Sequence, residues 1–569
     1  MKLKHIIFTV ICTLIFTSCD LERLPDNAYT KEQIEADKDA AFQILLNGCY
    51  GHLKGWADVM HRVGEYPSDN IMIRGTSTDA FYPFISYQHI KDNYRLTTFW
   101  NTSYKVISQA SDLINMSDEE TSTKERKQKI GEMYYLRGMC YFYLCRVFGR
   151  PYYQSPETNL GVPILLDGTP DDVSNLQLPD RATVKDTYAQ AISDLKKAES
   201  LMTVEKRAAY ATKEAAQAML SRIYLYMSGT YENPNTEYAN LSIEYAEKVI
   251  QSGRYALLDR INFMKYNIFP PDGSSQTETI FAIKRLSSEF SGDDYYGTIG
   301  GMYATIQGQG WGEMYASAKY LELLRKAGLG KDARWAFIDP QYIEDDAGQK
   351  TPAFRFIADL KNASGVQTGY TYVQEALRYN EDNSLYIKVG DQVYPLTVVN
   401  AEENQYSIVY NGKTYIGEKD YLMLLNRVFP MFYVTKCSLQ DNESHLHSPI
   451  VSRLAELYLN AAEASAKKGN YGQALIYLNK IRGRAIVGGE YKSLNASNAA
   501  QLIDEERQLE LGFEAHRTYD VYRNGQDMVR NYPGPHDAMT AIPATDLRVV
   551  HFIPQAEINA YPSELTQNP

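Results

Sequence analysis

Cysteine is scarce in this chain. Six cysteines stand in 569 residues, at Cys12, Cys19, Cys49, Cys140, Cys145 and Cys437. They are scattered, and no two form Cys-x-x-Cys, which argues against a disulfide framework and against a redox or zinc motif. Buried free thiols are the expectation for those in the body of the chain. Catalytic signatures are missing too: there is no HExxH, GxSxG or Walker A sequence, and no GxGxxG following a strand. The glycine-rich Gly308-Gln309-Gly310-Trp311-Gly312 lacks the Lys-Ser/Thr of a phosphate loop. No apolar run reaches the ~20 residues that span a bilayer. Positive charge is in deficit: 58 Lys and Arg face 70 Asp and Glu, a formal net charge of −12. Such a chain is a poor partner for nucleic acid or anionic lipid and better suited to an uncharged or cationic ligand.

The N-terminus is patterned. Lys2 and Lys4 precede an apolar run from Ile6 to Phe16, then Thr17-Ser18-Cys19. Charge, a short greasy stretch and small residues before a cut predict a signal peptide over 1–18. The small pair before Cys19 resembles a bacterial lipobox, although Phe16 stands where that motif usually carries Leu. Cys19 is therefore the predicted lipidation site, since several acyl chains on one residue give stable anchoring. Cleavage removes two lysines and no acid, moving the formal charge from −12 to −14.

Residues 19–35 read as a tether and 36–569 as one continuous unit, with no Pro/Ser-rich linker inside it. Within that unit, 36–256 reads as a helical N-terminal scaffold, 257–447 as a loop- and β-containing region, and 448–569 as C-terminal helices. In Gly131–Phe148, Leu136, Cys140, Leu144 and Phe148 recur every four residues, one face of a helix that Gly149 and Pro151 close. Thr212 is a suitable N-cap for a helix running to Met227. Pro449–Lys468 and Tyr471–Arg482 read as a helix pair joined by Gly469-Asn470. Thr279–Arg285 reads as a strand. Gln405–Tyr410 and Lys413–Ile416 flank Asn411-Gly412, the pair that supplies both positive φ angles of a type I′ hairpin. Tyr386–Leu396 is expected to pair nearby.

Two groups of ionisable residues invite a chemical reading. His445-Leu-His447 offers two imidazoles without an evident third ligand, so a metal site is disfavoured. Glu506, Glu510 and Glu514 lie on one helical stripe, close to Arg507, His516 and Arg517. Two glycosidase carboxylates would face each other across a sugar, whereas these point the same way, and structural ion pairing is the better reading. The aromatic inventory is more telling: 46 Tyr against 19 Phe and 4 Trp. Tyr combines an apolar face with a polar tip, and sugars present C–H faces to rings and hydroxyls to polar side chains. Two segments combine these elements. One holds Asp69, Asn70 and Arg74 followed by Tyr82, Phe84 and Tyr87. The other, Asp293–Trp311, holds Tyr295, Tyr296 and Trp311. Asp69, Asn70, Arg74, Tyr82, Phe84, Tyr295, Tyr296 and Trp311 are the candidate glycan contacts. Tyr134, Tyr135, Tyr141 and Tyr143, at helical spacing, are expected to pack between helices.

Nearly the whole chain resembles the SusD/RagB family of outer-membrane nutrient-binding lipoproteins. The resemblance rests on the lipobox at Cys19, Trp100-x-x-x-Tyr104-x-x-Ile107, Tyr135-Leu-Arg137-Gly-Met-Cys-Tyr141-Phe-x-Leu144-x-x-x-Phe148-Gly149, Gly161-Val-Pro163 and Ala211-Thr-Lys213-x-Ala215-Ala216-x-Ala218. The C-terminal motifs are the most specific: Arg453-Leu-Ala455-Glu456-x-Tyr458-Leu-Asn460-Ala-Ala-Glu463, Asn479-Lys-Ile481-Arg482, Glu506-Arg507-x-x-Glu510-Leu-x-Phe513-Glu514-x-His516-Arg517-x-Tyr519-Asp520-x-x-Arg523 and Phe552-Ile-Pro554. Tyr519 stands where the family usually has Phe or Trp. The resemblance implies a mostly α fold, a tetratricopeptide-like scaffold of helix pairs carrying an irregular, partly β ligand-binding region. It implies a lipid anchor on the cell-surface side of the outer membrane and capture of oligo- or polysaccharide. It also implies a SusC-like TonB-dependent transporter, over which the protein sits as a lid. No catalysis and no cofactor are implied; a structural calcium occurs in the family, without assignable ligands here. A peptide-capturing RagB-like protein and an α-helical-barrel glycoside hydrolase are the alternatives.

Overall fold

The structure, a computed structural model, describes residues 38–169 and 174–569. The signal peptide, Cys19 and the tether over 19–35 lie outside the described residues. The chain divides into Met1–Gly48, of which the described part is the start of the first helix, and Cys49–Pro569. The main helices are α1 (Lys38–Glu65), α2 (Tyr94–Asn115), α3 (Lys124–Phe148), α4 (Val184–Leu201), α5 (Lys213–Met227), α6 (Thr236–Ile250), α7 (Ala318–Arg325), α8 (Leu454–Lys467), α9 (Tyr471–Ala485), α10 (Ala499–Glu510) and α11 (Arg517–Arg523).

Most of these helices pack as sequential neighbours: α2 on α3, α3 on α4, α5 on α6 and α8 on α9, with α6 lying against α8. The side chain of Thr123 starts α3 by accepting from the Arg126 N–H, and the Gly149 N–H closes it on the Cys145 carbonyl. Every residue from Tyr135 to Phe148 is buried. The single apolar face expected from the four-residue recurrence is thus only part of α3, which neighbours cover all round. A methyl on Gly138 would lie 2.9 Å from the Ala191 carbonyl oxygen, so α3 and α4 touch there. One residue away, Arg137 holds Asp194 of α4 through two 2.8 Å bonds. Thr212 caps α5 as the sequence predicts, accepting from the Ala215 N–H.

The C-terminal helix pair starts later than expected. Ile450–Arg453 is a strand that pairs antiparallel with Thr279–Ala282, and α8 begins only at Leu454. Ile450 and Val451 are β-branched and fit that ladder better than a first helical turn. The α8–α9 turn is as read: Gly469 has φ 76° and Asn470 caps α9 on the Gln473 N–H.

The β region exceeds the hairpin signal. Strands β1 (Ile71–Ile73), β2 (Thr279–Ala282), β3 (Met314–Ala316) and β4 (Ile338–Pro340) are short. They are followed by β5 (Pro352–Lys361), β6 (Gln367–Ala376), β7 (Arg378–Tyr379), β8 (Leu385–Val389), β9 (Gln392–Asn400), β10 (Gln405–Tyr410) and β11 (Lys413–Tyr421). These seven form one antiparallel sheet in the order β6-β5-β11-β10-β9-β8-β7. Tyr410 faces Lys413 across Asn411 (φ 49°) and Gly412 (φ 78°), the predicted type I′ turn. Phe354, Phe356, Ala358, Leu396, Tyr406 and Ile408 pack together as the core of the sheet. Strands β12 (Phe432–Val434) and β13 (Ile450–Arg453) return the chain to β4 and β2.

Charge is buried where these parts meet. Arg453, at the end of β13, reaches Glu278 at 2.8 Å, Glu510 of α10 at 2.6 Å and Glu514 at 2.8 Å. Arg484 of α9 shares Glu278 and Glu510 with it, and Arg334 and Arg482 hold Glu506. Glu506, Glu510 and Glu514 are therefore ion-paired as expected, but to other partners, and Glu514 is not on the helical stripe: α10 ends at Glu510 and Glu514 sits in the turn after it. Arg507 turns to Asp520, and Arg517 to Asp69 and Asp504. Next to this cluster, Phe513 (φ 65°) and Ala515 (φ 63°) are left-handed without being glycine. Their N–H groups donate to the Glu65 carboxylate at 3.1 and 2.9 Å, which holds the strained turn in place.

Two outcomes follow. Arg453→Ala strips a common partner from three carboxylates and is expected to lower unfolding free energy at neutral pH by about 3–5 kcal/mol, read by urea denaturation. The second concerns pH. Desolvation holds buried His61, His516, His536 and His551 below the ordinary imidazole value, His536 at about 3. The unfolded chain then takes up protons first as pH falls below about 6.5, so stability is lost on acidification from there downward. Burial pushes the Cys49 and Cys145 thiols up to about 12. The unfolded chain releases those protons first, and stability is lost as pH rises past about 8.5. The midpoint of thermal unfolding should be highest between about pH 7 and 8.5 and fall on both sides.

Candidate functional site

The two segments singled out for ligand contact fare differently. In the first, Asp69 is 1 % exposed and Asn70 fully buried. Arg517 Nε donates to Asp69 at 2.7 Å, Lys319 Nζ at 2.5 Å and Gln508 Nε2 at 3.2 Å. Burial works to raise the Asp69 carboxyl, but the two cations prevail and hold it below the usual carboxylate range. Asn70 donates to Glu65 Oε1 at 2.8 Å and accepts from Gln508 at 2.9 Å. Phe84 is fully buried with its ring edge-on to His551 at 5.2 Å. Asp69, Asn70 and Phe84 are therefore corrected from ligand contacts to core: their polar atoms are spent and their faces covered. Tyr82 is half-buried, its hydroxyl 3.5 Å from the Pro535 carbonyl. Arg74 remains at the surface, its side chain 38 % exposed and paired with Glu313.

The second segment keeps two of its aromatics, Tyr296 and Trp311, at the surface. Ser291 and Asp294 cap each other reciprocally, starting the 3-10 turn Gly292–Gly297 that carries both tyrosines. Tyr295 is buried under Phe290, the rings stacked at 5.1 Å, and supports the surface from below rather than forming it. Tyr296 donates its phenol to the Gly308 carbonyl at 2.8 Å. Its ring meets Trp311 at 5.4 Å and 68°, edge to face. Trp311 is 58 % exposed, which is unusual for the largest apolar side chain. The rings Tyr303 and Tyr315 in the same stretch are fully buried.

The backbone explains how Trp311 stays outside. Gln307 (φ 53°) and Gly308 (φ 78°) form a tight turn closed by Ile306–Gln309 bonds of 2.9 and 3.0 Å. Gly310 (φ 95°) lies so close to the short helix Ile299–Tyr303 that a methyl there would stand 2.3 Å from the Ala304 carbonyl oxygen. The Gly312 N–H then bonds Gly301 and the Glu313 N–H bonds Met302, both at 2.9 Å. His445 meets the Gln309 carbonyl at 2.9 Å and Ser438 at 3.1 Å. Both of its ring nitrogens are thus engaged in bracing this strap. No cluster of three or more metal-ligating side chains occurs among the described residues.

Residues 311–313 continue into β3, which pairs with β1, and the Arg74 N–H donates to the Glu313 carbonyl at 2.9 Å. That ladder brings Arg74 beside the Trp311 strap. Next to it, Gly75 lies against the guanidinium of Arg427, itself exposed and left-handed (φ 60°). Arg427, its exposed neighbours Leu425 and Val428, and Phe290 were missed from sequence. The apolar-basic run Leu424–Val428 was the available signal. The surface thus assembled has two rings at a fixed angle, with Arg74 on the strand that pairs with the continuation of the strap and Arg427 against the next residue, Gly75. It suits a ligand with a flat C–H face and hydrogen-bonding groups at its rim.

Family models match two stretches of the chain. One, described as "Starch-binding associating with outer membrane", spans 21–225, and the other, the SusD family, spans 277–569. Among curated proteins, SusD-like protein P2 of Formosa agariphila is 23% identical over 96% of this chain and 97% of its own length. SusD-like protein P25 of the same organism is 24% identical over 100% and 99%. Among solved structures, a SusD superfamily protein from Bacteroides thetaiotaomicron is 26% identical with a TM-score of 0.70, covering 93% of this chain and 99% of that one. A protein titled "Putative sugar binding protein" from Bacteroides vulgatus has 23% identity and a TM-score of 0.65, covering 93% and 98%.

If the strap is structural and its ring is not, two substitutions separate them. Trp311→Ala should change unfolding free energy by less than about 0.5 kcal/mol. Gly310→Val should cost at least about 1–3 kcal/mol, since it meets both the positive φ and the close approach. Denaturant titration of the two variants checks this.

Proposed function

The chain belongs to the SusD family, and from that we propose that it captures oligo- or polysaccharide at the cell surface without turning it over. The observation that carries the reading is the Tyr296–Trp311 pair, an exposed indole held edge-to-face on a braced glycine strap. An exposed ring on a stiff support loses little freedom when a sugar stacks on it. Arg74 and Arg427 supply donors at the margin. The acidic stripe offers no competing chemistry: Glu506 and Glu510 are fully buried in ion pairs. The description of the matching family model, starch binding in association with the outer membrane, supports the same reading.

Cys19 carries the lipid that holds the protein on the outer membrane, and the captured glycan passes to a SusC-like TonB-dependent transporter that this protein covers as a lid. The helix pairs α3–α4, α5–α6 and α8–α9 serve as a tetratricopeptide-like scaffold for the surface.

A glycan array identifies the ligand, and calorimetry on variants tests the site. Trp311→Ala and Tyr296→Ala should each weaken binding about tenfold, which corresponds to roughly 1.4 kcal/mol. A double variant that binds as tightly as wild type would sink the placement.

A further inference from the structure

A cavity of about 40 Å³ lies where the C-terminal end of α3 meets α11. Arg146, Arg150 and Arg523 line it with Tyr226, Thr518 and Tyr519, and no Asp or Glu does. By the same measure a water needs roughly 10–15 Å³, so there is room for a small ion.

The three arginines differ in how their charge is met. Arg523 is neutralised by Glu463, at 2.7 Å from Nη2, and by Asp520, at 2.8 Å from Nε. Arg150 donates to the Thr545 and Asp546 carbonyls at 3.2 and 2.7 Å, while the Asp546 carboxylate is taken by Arg548. Arg146 is 7 % exposed; its Nη1 donates to the Tyr226 hydroxyl at 3.1 Å, and the Tyr519 hydroxyl also accepts from its guanidinium. Its Nε is buried without an acceptor. No carboxylate pairs with it among the described residues. Tyr519 and Tyr143 lie 3.9 and 4.2 Å from its guanidinium carbon. Their faces favour the cation but offer the in-plane Nε–H no acceptor. Buried charge ordinarily has a counter-charge.

Two hydroxyls at the cavity can donate as well. Tyr226 uses its oxygen to accept from Arg146, so its own hydrogen is uncommitted. The Thr518 hydroxyl is buried without a partner. A guanidinium, a phenol and an alcohol, each with an N–H or O–H left to donate and no anionic group among them, describe a receptor for negative charge. Water would meet the hydrogen bonds but leave the charge.

We propose that this cavity binds one chloride-sized monovalent anion as the counter-ion of Arg146, joining the end of α3 to α11. The site is separate from the Trp311 surface and does not depend on the glycan reading.

The test compares thermal unfolding in sodium chloride or bromide with sodium gluconate at constant ionic strength, gluconate being too large to enter. Wild type should show a saturable halide-dependent rise of about 2 °C or more in its midpoint. Arg146→Met, which keeps the apolar stem, should show none. Independently, crystals grown in sodium bromide should give an anomalous peak within hydrogen-bonding distance of Arg146 Nε. Absence of that peak together with a halide-independent wild-type midpoint overturns the proposal, as does an equal halide shift in Arg146→Met. If Arg146→Met does not fold, Thr518→Val replaces it: a weakened halide response supports the site, and an undiminished one with no bromide peak refutes it.

Discussion

One arginine joins the parts of this fold. Arg453 stands at the junction of β13 and α8, and its guanidinium is shared by Glu278, Glu510 and Glu514. Those carboxylates come from the segment leading into β2, from the end of α10 and from the turn after it. Burying four charges is costly unless each finds its partner, so the arrangement is satisfied only when strand, helix and turn are all in place. Glu65 extends the same logic to the end of α1 by accepting from Phe513, Ala515 and Asn70. The conformational strain at Phe513 and Ala515 is tolerated because the carboxylate takes both N–H groups.

The exposed surface is built on this base. Asp69 and Asn70 lie between the charge network and β1, β1 pairs with β3, and β3 continues the strap that presents Trp311. The residues first suspected of touching ligand therefore act one layer beneath it. They fix the strand that fixes the strap. Polarity was a correct sign that these residues matter and a poor sign of which way they face.

Much of the fold was legible because its signals are local. Thr212 as a cap, the Gly469-Asn470 turn and the Asn411-Gly412 hairpin depend on a few adjacent residues, and all three appear where read. The acidic stripe was recognised as ion-paired, but its true partners Arg334, Arg453 and Arg484 lie far along the chain. Spacing carries no information about such pairs. The extent of the sheet escaped for the same reason: β5 meets β11 across more than fifty residues. In the site, Trp311 and Tyr296 were named from composition alone. Phe84 was named on the same grounds and is core, since composition does not distinguish a covered ring from an open one. Arg427 was missed because its place beside Gly75 is made by folding, not by sequence proximity.

The four thiols in the described body have a practical meaning. Cys49, Cys140, Cys145 and Cys437 are free, buried and unpaired with one another. They sit in α1, at two points of α3, and in the segment after β12. A thiol reagent reaches each only when its surroundings open. The molecule therefore carries four native reporters of partial unfolding, and the order in which they label would rank the opening of its layers without any engineered probe.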